Sequence, residues 1–260
     1  DQQGLAHFLE HMAFNGTEDF SKNDLIGFLE QSGVDFGADL NAYTSFDETV
    51  YMFQIPSDRQ GLLDSAFMVL ENWAHKLSLE EEEIDKERGV VREEWRLGLG
   101  AQDRMMKKYI PILFNESRYA DRLPIGKMSV IDSCEYEAVE RFYNDWYRPN
   151  LMAVIVVGDI DTTYAEEMVI KHFSGLTNPE PARDRTVHEI LNNNPPLIAI
   201  ATDKEATSTS VSLIRKLEKY HVKTYNDFRT MLMVDLFTGM LNNRFFEAMQ
   251  QPDAPFVYAG

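Results

Sequence analysis

Apolar residues at Leu5, Phe8, Leu9 and Met12 recur at the spacing of one helical face, and Asn15-Gly16 follows as a stop. The pattern predicts a short amphipathic helix at the start of the chain. Ser21 to Asp24 opens a second helix that runs to Gln31 and stops at Gly33. Between residues 34 and 55 the period changes to two. Leu40–Thr44 and Thr49–Ile55 alternate around a polar turn at Ser45–Glu48, which predicts a β-hairpin closed by Pro56. Helical spacing returns from about Arg59 to Lys76. A long helix then starts at Ser78, whose hydroxyl is placed to cap with Glu81 in a capping box, and runs past Arg96.

Residues 101–124 read as helix and then loop, with Pro111 and Pro124 as breaks. Tyr136–Trp146 and Tyr164–Phe173 are further helices, and Tyr225–Met249 is a long one. Leu151–Val157, Leu197–Ala201 and Ser208–Ile214 read as strands. Thr177 to Pro196 holds four of the ten prolines and Asn192-Asn-Asn194, the composition of a linker. The expected fold class is α+β, with antiparallel sheets packed by long helices. The expected division is a first α+β domain over 1–180, a linker over 181–196, and the start of a second α+β domain over 197–260.

Composition changes this picture little. Apolar residues at 44% and charged residues at 26% are ordinary for a globular chain. With 43 acidic against 25 basic residues, a net charge of −18 speaks against nucleic acid, whose phosphates need lysine and arginine partners. The longest apolar run, Leu151–Val157, is too short to span a bilayer. The single Cys134 excludes an internal disulfide and a cysteine-rich metal cluster. The chain opens at Asp1 without a methionine, and Pro255–Gly260 reads as the beginning of a strand, so we expect a piece of a larger protein.

The chemistry is concentrated in His7-Phe-Leu-Glu-His11. Two histidines four apart stand one helical turn from each other and can reach one metal ion, with Glu10 beside the open coordination position. This H-x-x-E-H order mirrors the H-E-x-x-H zinc motif. A catalytic zinc usually has three protein ligands, and without cysteine the third is expected to be a carboxylate. Glu87 and Glu94 lie seven apart on one predicted helix face, so one can bind metal while the other supports it. His75, His172, His188 and His221 have no partner at metal spacing and read as surface or packing residues.

Several stretches together resemble the pitrilysin-type, or inverzincin, zinc metallopeptidases, which include insulin-degrading enzymes and mitochondrial processing peptidases. They are Gly4 to Thr17, Leu40 to Ser45, Glu87-Arg-Gly-Val-Val91 with Glu93-Glu-Trp-Arg96, and Trp146 to Val154 leading to Val157-Gly-Asp159. Phe142-Tyr-Asn-Asp-Trp-Tyr147 looks most like the bacterial, PqqL-like branch, from which Arg92 departs by replacing an aliphatic residue.

The resemblance implies a zinc endopeptidase acting on extended peptides or unfolded proteins. His7, His11 and Glu94 would bind Zn²⁺, Glu87 would support them, and Glu10 would be the general base. Counting forward from His11, the family spacing lands on Glu87. The local context favours Glu94, because extra residues fall around Val34 to Asp39 and in the helix region that follows. Asn41, Ala42, Tyr43 and Thr44 resemble the edge strand on which substrate adds; the residues alone favour a plain hairpin with Tyr43 in the core. Arg122-Leu-Pro-Ile-Gly126 resembles a family loop and carries no assigned chemistry.

The family pairs such a half with a second, homologous half, so a missing C-terminal half or partner subunit is implied. The bacterial likeness implies the periplasm or cell envelope. A noncatalytic peptide-binding or assembly subunit, and a zinc hydrolase acting on a non-peptide substrate, are the competing readings.

Overall fold

The computed structural model describes residues 2–34, 37, 39–57, 60–217 and 221–260. It divides into two compact units, the first ending at Thr209 and the second running Ser210–Gly260. The first unit begins with α1 (Leu5–Met12) and α2 (Lys22–Gln31), followed by strands β1 (Leu40–Thr44) and β2 (Thr49–Phe53). Helices α3 (Gln60–His75), α4 (Glu81–Gly98), α5 (Ala101–Phe114), α6 (Met128–Ile131), α7 (Tyr136–Trp146) and α8 (Thr162–Phe173) complete it. The second unit carries α9 (Tyr225–Met249), opened by a capping box between Thr224 and Asp227. The fold is a helix-rich α+β arrangement with one two-stranded antiparallel sheet among the described residues.

The core of the first unit forms around α1. Leu5, Phe8, Leu9 and Met12 are buried completely or nearly so, against β1, β2, α4 and α7. Each such burial contributes about 1.5–3 kcal/mol, whereas exposed charge pairs contribute about 0–1 kcal/mol. The apolar stripe therefore sets the rotation of α1. At roughly 100° per residue, His7, Glu10 and His11 then emerge on the opposite side. Trp73 of α3 seals this core: its indole N–H donates to the Ala13 carbonyl at 3.0 Å, and its ring stacks on Tyr51.

Two glycines seat the start of α1. Gly4 has φ +94°, and a Cβ there would meet the Gly126 Cα at 2.8 Å; Gly126 itself has φ +75° and would collide with Gly4 in turn. Only glycine permits both the left-handed backbone and the close approach. The loop around Gly126 thus acts through packing, by holding the end of the motif helix.

Several elements differ from expectation. Leu151–Val157, Leu197–Ala201 and Ser208–Ile214 form no strand; Val157 is 91% exposed and Val211 96%. A strand is stabilised by neighbours across its edges, and no described strand lies beside these segments. The 202–205 stretch is instead tied to α5 by Arg104, whose guanidinium pairs with Asp203 at 2.7 Å, and by Lys108 donating to the Thr202 carbonyl. Ser78 does not cap α4. Leu79 takes φ +48° and turns the chain, so the helix begins at Glu81 after Glu80. Pro111 does not end α5, which continues to Phe114 and stops at Asn115 with φ +46°. The expected helix start at Arg59, and part of the Val34 to Asp39 region, lie outside the described residues.

Candidate metal centre

Helix α4 lies against α1 and supplies the second half of the site. Ile84, Glu87 and Val91 are its buried residues, spaced three and four apart on one face, and Glu94 extends that face by one more turn. Arg88 anchors the flank of that face by donating to the carbonyls of Ile131 and Cys134. Arg92 pairs with Asp132 at 2.7 Å, which accounts for a charged residue at that position.

The structure brings His7, His11 and Glu94 together. The Nε2 atoms of the two histidines are 3.3 Å apart, and the Glu94 Oε2 lies 3.5 Å from that of His7 and 3.4 Å from that of His11. A tetrahedral ion with bonds of 2.0–2.1 Å separates its ligands by about 3.3–3.4 Å. The three donors therefore match one face of a zinc tetrahedron, and two imidazoles with one carboxylate are a donor set that suits zinc. Glu87 stands elsewhere. Its Oε1 lies 2.8 Å from the His11 Nδ1, and its Oε2 accepts from the Asn15 amide at 2.6 Å.

The electrostatics follow from these contacts. Burial, then the neighbouring His11, pushes the His7 pKa down and favours the neutral ring with a free lone pair. Burial opposes charge on His11 too, but the hydrogen bond and charge of Glu87, with Glu94 and Glu10, outweigh it and raise its pKa. Glu87 is buried, which opposes its charge. The hydrogen bonds from His11 and Asn15 win, and its pKa is lowered. An ionised Glu87 accepts the Nδ1 proton of His11 and leaves Nε2 directed at His7 and Glu94. Glu10, on the same face of α1, accepts a hydrogen bond from the Thr44 hydroxyl of β1.

Residues 1–108 match the family model described as insulinase (peptidase family M16), and residues 133–252 match that described as peptidase M16 inactive domain. The chain belongs to the M16 peptidase family. It is 34% identical to a zinc protease PQQL-like protein of Arabidopsis thaliana over 98% of this chain, and 36% identical to a probable zinc protease PqqL of Haemophilus influenzae over 94%. It spans only 27% and 26% of those relatives' own lengths. Among solved structures, the crystal structure of the first half of the periplasmic protease PqqL from Escherichia coli superposes with a TM-score of 0.76 and 31% identity, over 96% of this chain and 53% of that one.

In this M16 chain β1 pairs with β2 and has no described strand on its other edge. Gln54 donates to the Asp39 carbonyl and Ser45 to that of Glu48, which fixes the alternation of the ladder. Asn41 and Tyr43 therefore turn their backbone groups toward β2, and Ala42 and Thr44 turn theirs to the open edge. The Ala42 N–H there is covered by the Asn41 side chain at 2.9 Å. Tyr43 is 44% exposed with its hydroxyl on Glu48, so it is not a core residue. Sequence reading missed Asn15, taken only as a helix stop, and the contact of Thr44 with Glu10. Neither has a local signal, since the partners lie 72 and 34 residues away.

His172 and His75 stay apart from this centre. Both contact Glu71, and His172 stacks on Phe67 as a packing residue.

Proposed function

We propose that the chain is the catalytic portion of a zinc-dependent endopeptidase that cleaves extended peptides or unfolded proteins. The observation that carries this reading is the triangle of His7, His11 and Glu94 donors, with Glu10 on the same helix face. In this reading His7, His11 and Glu94 hold the ion, and Glu87 orients His11 through Nδ1. Zinc, when bound, supplies a Lewis acid that polarises a peptide carbonyl and makes water more acidic. Glu10 takes the proton of the attacking water and returns it to the departing amine. A structural zinc would fill all four positions with protein ligands, cysteine above all, and would have no use for this neighbouring carboxylate.

The open edge of β1 offers the Ala42 and Thr44 backbone groups to a peptide added as a further strand. Such pairing reads backbone rather than sequence, and Asn41 has to swing off the Ala42 N–H to permit it. The small share of each relative's length that the chain spans supports a partner half completing the enzyme. The Escherichia coli relative is a periplasmic protease, which supports a periplasmic or cell-envelope setting. No helix among the described residues is long and apolar enough to cross a membrane.

The test is cleavage of internally quenched peptides, with and without a chelator, by this chain and by the full-length protein that carries it. Chelator-sensitive cleavage that zinc restores is the expected result. Peptide binding without cleavage by the zinc-loaded full-length protein would instead indicate a noncatalytic binding subunit.

A further inference from the structure

We propose that Thr44 is a positioning residue for Glu10, so that the strand offered to substrate also holds the base; this rests on the peptidase reading above. The Thr44 hydroxyl donates to the Glu10 Oε2 and lies 3.3 Å from the Thr49 hydroxyl, its direct cross-strand partner. This pair does not exchange backbone hydrogen bonds, the kind in which side chains stand closest. On the same hairpin, the Tyr51 hydroxyl meets that of Tyr147 at 2.6 Å. Each hydroxyl has one proton to give. Thr49, Thr44 and Glu10 can therefore be ordered in one direction, ending at a carboxylate that only accepts.

The tyrosine pair is firmly held. Tyr51 stacks on Trp73, and Tyr147 packs on Tyr143 of α7. Burial pushes the Tyr147 pKa up to about 12 and that of Tyr51 well above its ordinary value, so both keep their protons near neutrality. Thr44 has its backbone on the open edge of β1. Its branched side chain is stiff at χ1, so the place of its hydroxyl follows the place of its strand. A peptide that orders β1 thereby also orders Glu10.

The test compares Thr44→Val, which keeps the shape and removes the hydroxyl, with Thr44→Ser, which keeps the hydroxyl. Measurements are kcat, KM and zinc stoichiometry in the full-length protein, with crystal structures of both variants. For Thr44→Val we expect kcat to fall about 100-fold, the scale of an ångström's misplacement. KM and zinc content should hold, and Thr44→Ser should recover most of the loss. A raised KM with unchanged kcat would reduce Thr44 to a substrate contact and overturn the proposal. If the unsubstituted protein shows no chelator-sensitive cleavage, the peptidase reading itself fails. The crystal structures then decide the positioning claim alone, which is lost if Glu10 keeps its place in Thr44→Val.

Discussion

The Nδ1 of His11 and the Oε1 of Glu87 stand 2.8 Å apart, while the other ring nitrogen of His11 faces Glu94 at 3.4 Å. One imidazole thus separates two carboxylates of the same helix and gives them different work. Glu87→Gln should weaken zinc binding by about 10–100-fold, as the loss of an outer hydrogen-bond partner does. Glu94→Gln should weaken it more. Competition against a fluorescent chelator checks both. Retention of zinc by Glu94→Gln together with its loss in Glu87→Gln would reverse the two roles.

Glu10 is not one of the three donors grouped at the centre, and it accepts a hydrogen bond from Thr44. Glu10→Gln should therefore keep zinc content near that of the unsubstituted protein and lower turnover by about 10²–10⁴-fold, the usual contribution of a general base. Metal analysis beside the cleavage assay separates the two effects. Loss of zinc with the substitution would argue against the base role.

Gly126→Ala forces a methyl group toward Gly4 at a left-handed φ. We expect a loss of more than about 1 kcal/mol in urea denaturation, because strain and a backbone collision add. The displaced residue is the N-cap of α1, so zinc affinity should fall with stability. An alanine variant as stable as the parent would show that the loop does not hold the helix.

Glu71 gives a pH dependence away from the metal centre. Burial raises its pKa, but hydrogen bonds from His172 and Lys76 outweigh it and hold the carboxyl below its ordinary 4.5. A depressed carboxyl stabilises the fold above its unfolded value and loses that contribution as pH falls through the folded one. Glu71→Gln should cost on the order of 1 kcal/mol at pH 7 and flatten the stability curve below about pH 5. Denaturation midpoints across that range decide it; an unchanged acid slope would remove Glu71 from the account.

The motif helix was legible because its information is local. Leu5, Phe8, Leu9 and Met12 mark the face that leaves water, and the same 3.6-residue period sends His7, Glu10 and His11 the other way. The hairpin, α7 and α9 were legible for the same reason, each carrying its own periodicity or cap. The spacing of Glu87 and Glu94 showed that they share a face, but not which of them faces the Nε2 atoms of both histidines.

That choice depends on how far α4 slides along α1, and packing against distant residues sets it: Arg88 on Ile131 of α6, Asn15 on Glu87, Gly126 on Gly4. The contact of Thr44 with Glu10 likewise joins residues 34 positions apart, and that of Tyr51 with Tyr147 residues 96 apart. The apolar run Leu151–Val157 carried a strong strand signal and forms none, because a strand is completed by its neighbours and not by its own composition. Sequence alone thus determined which side chains are offered on each element, through local geometry and burial. Only the tertiary structure decided which offers meet, since those contacts arise between segments that no short-range pattern relates.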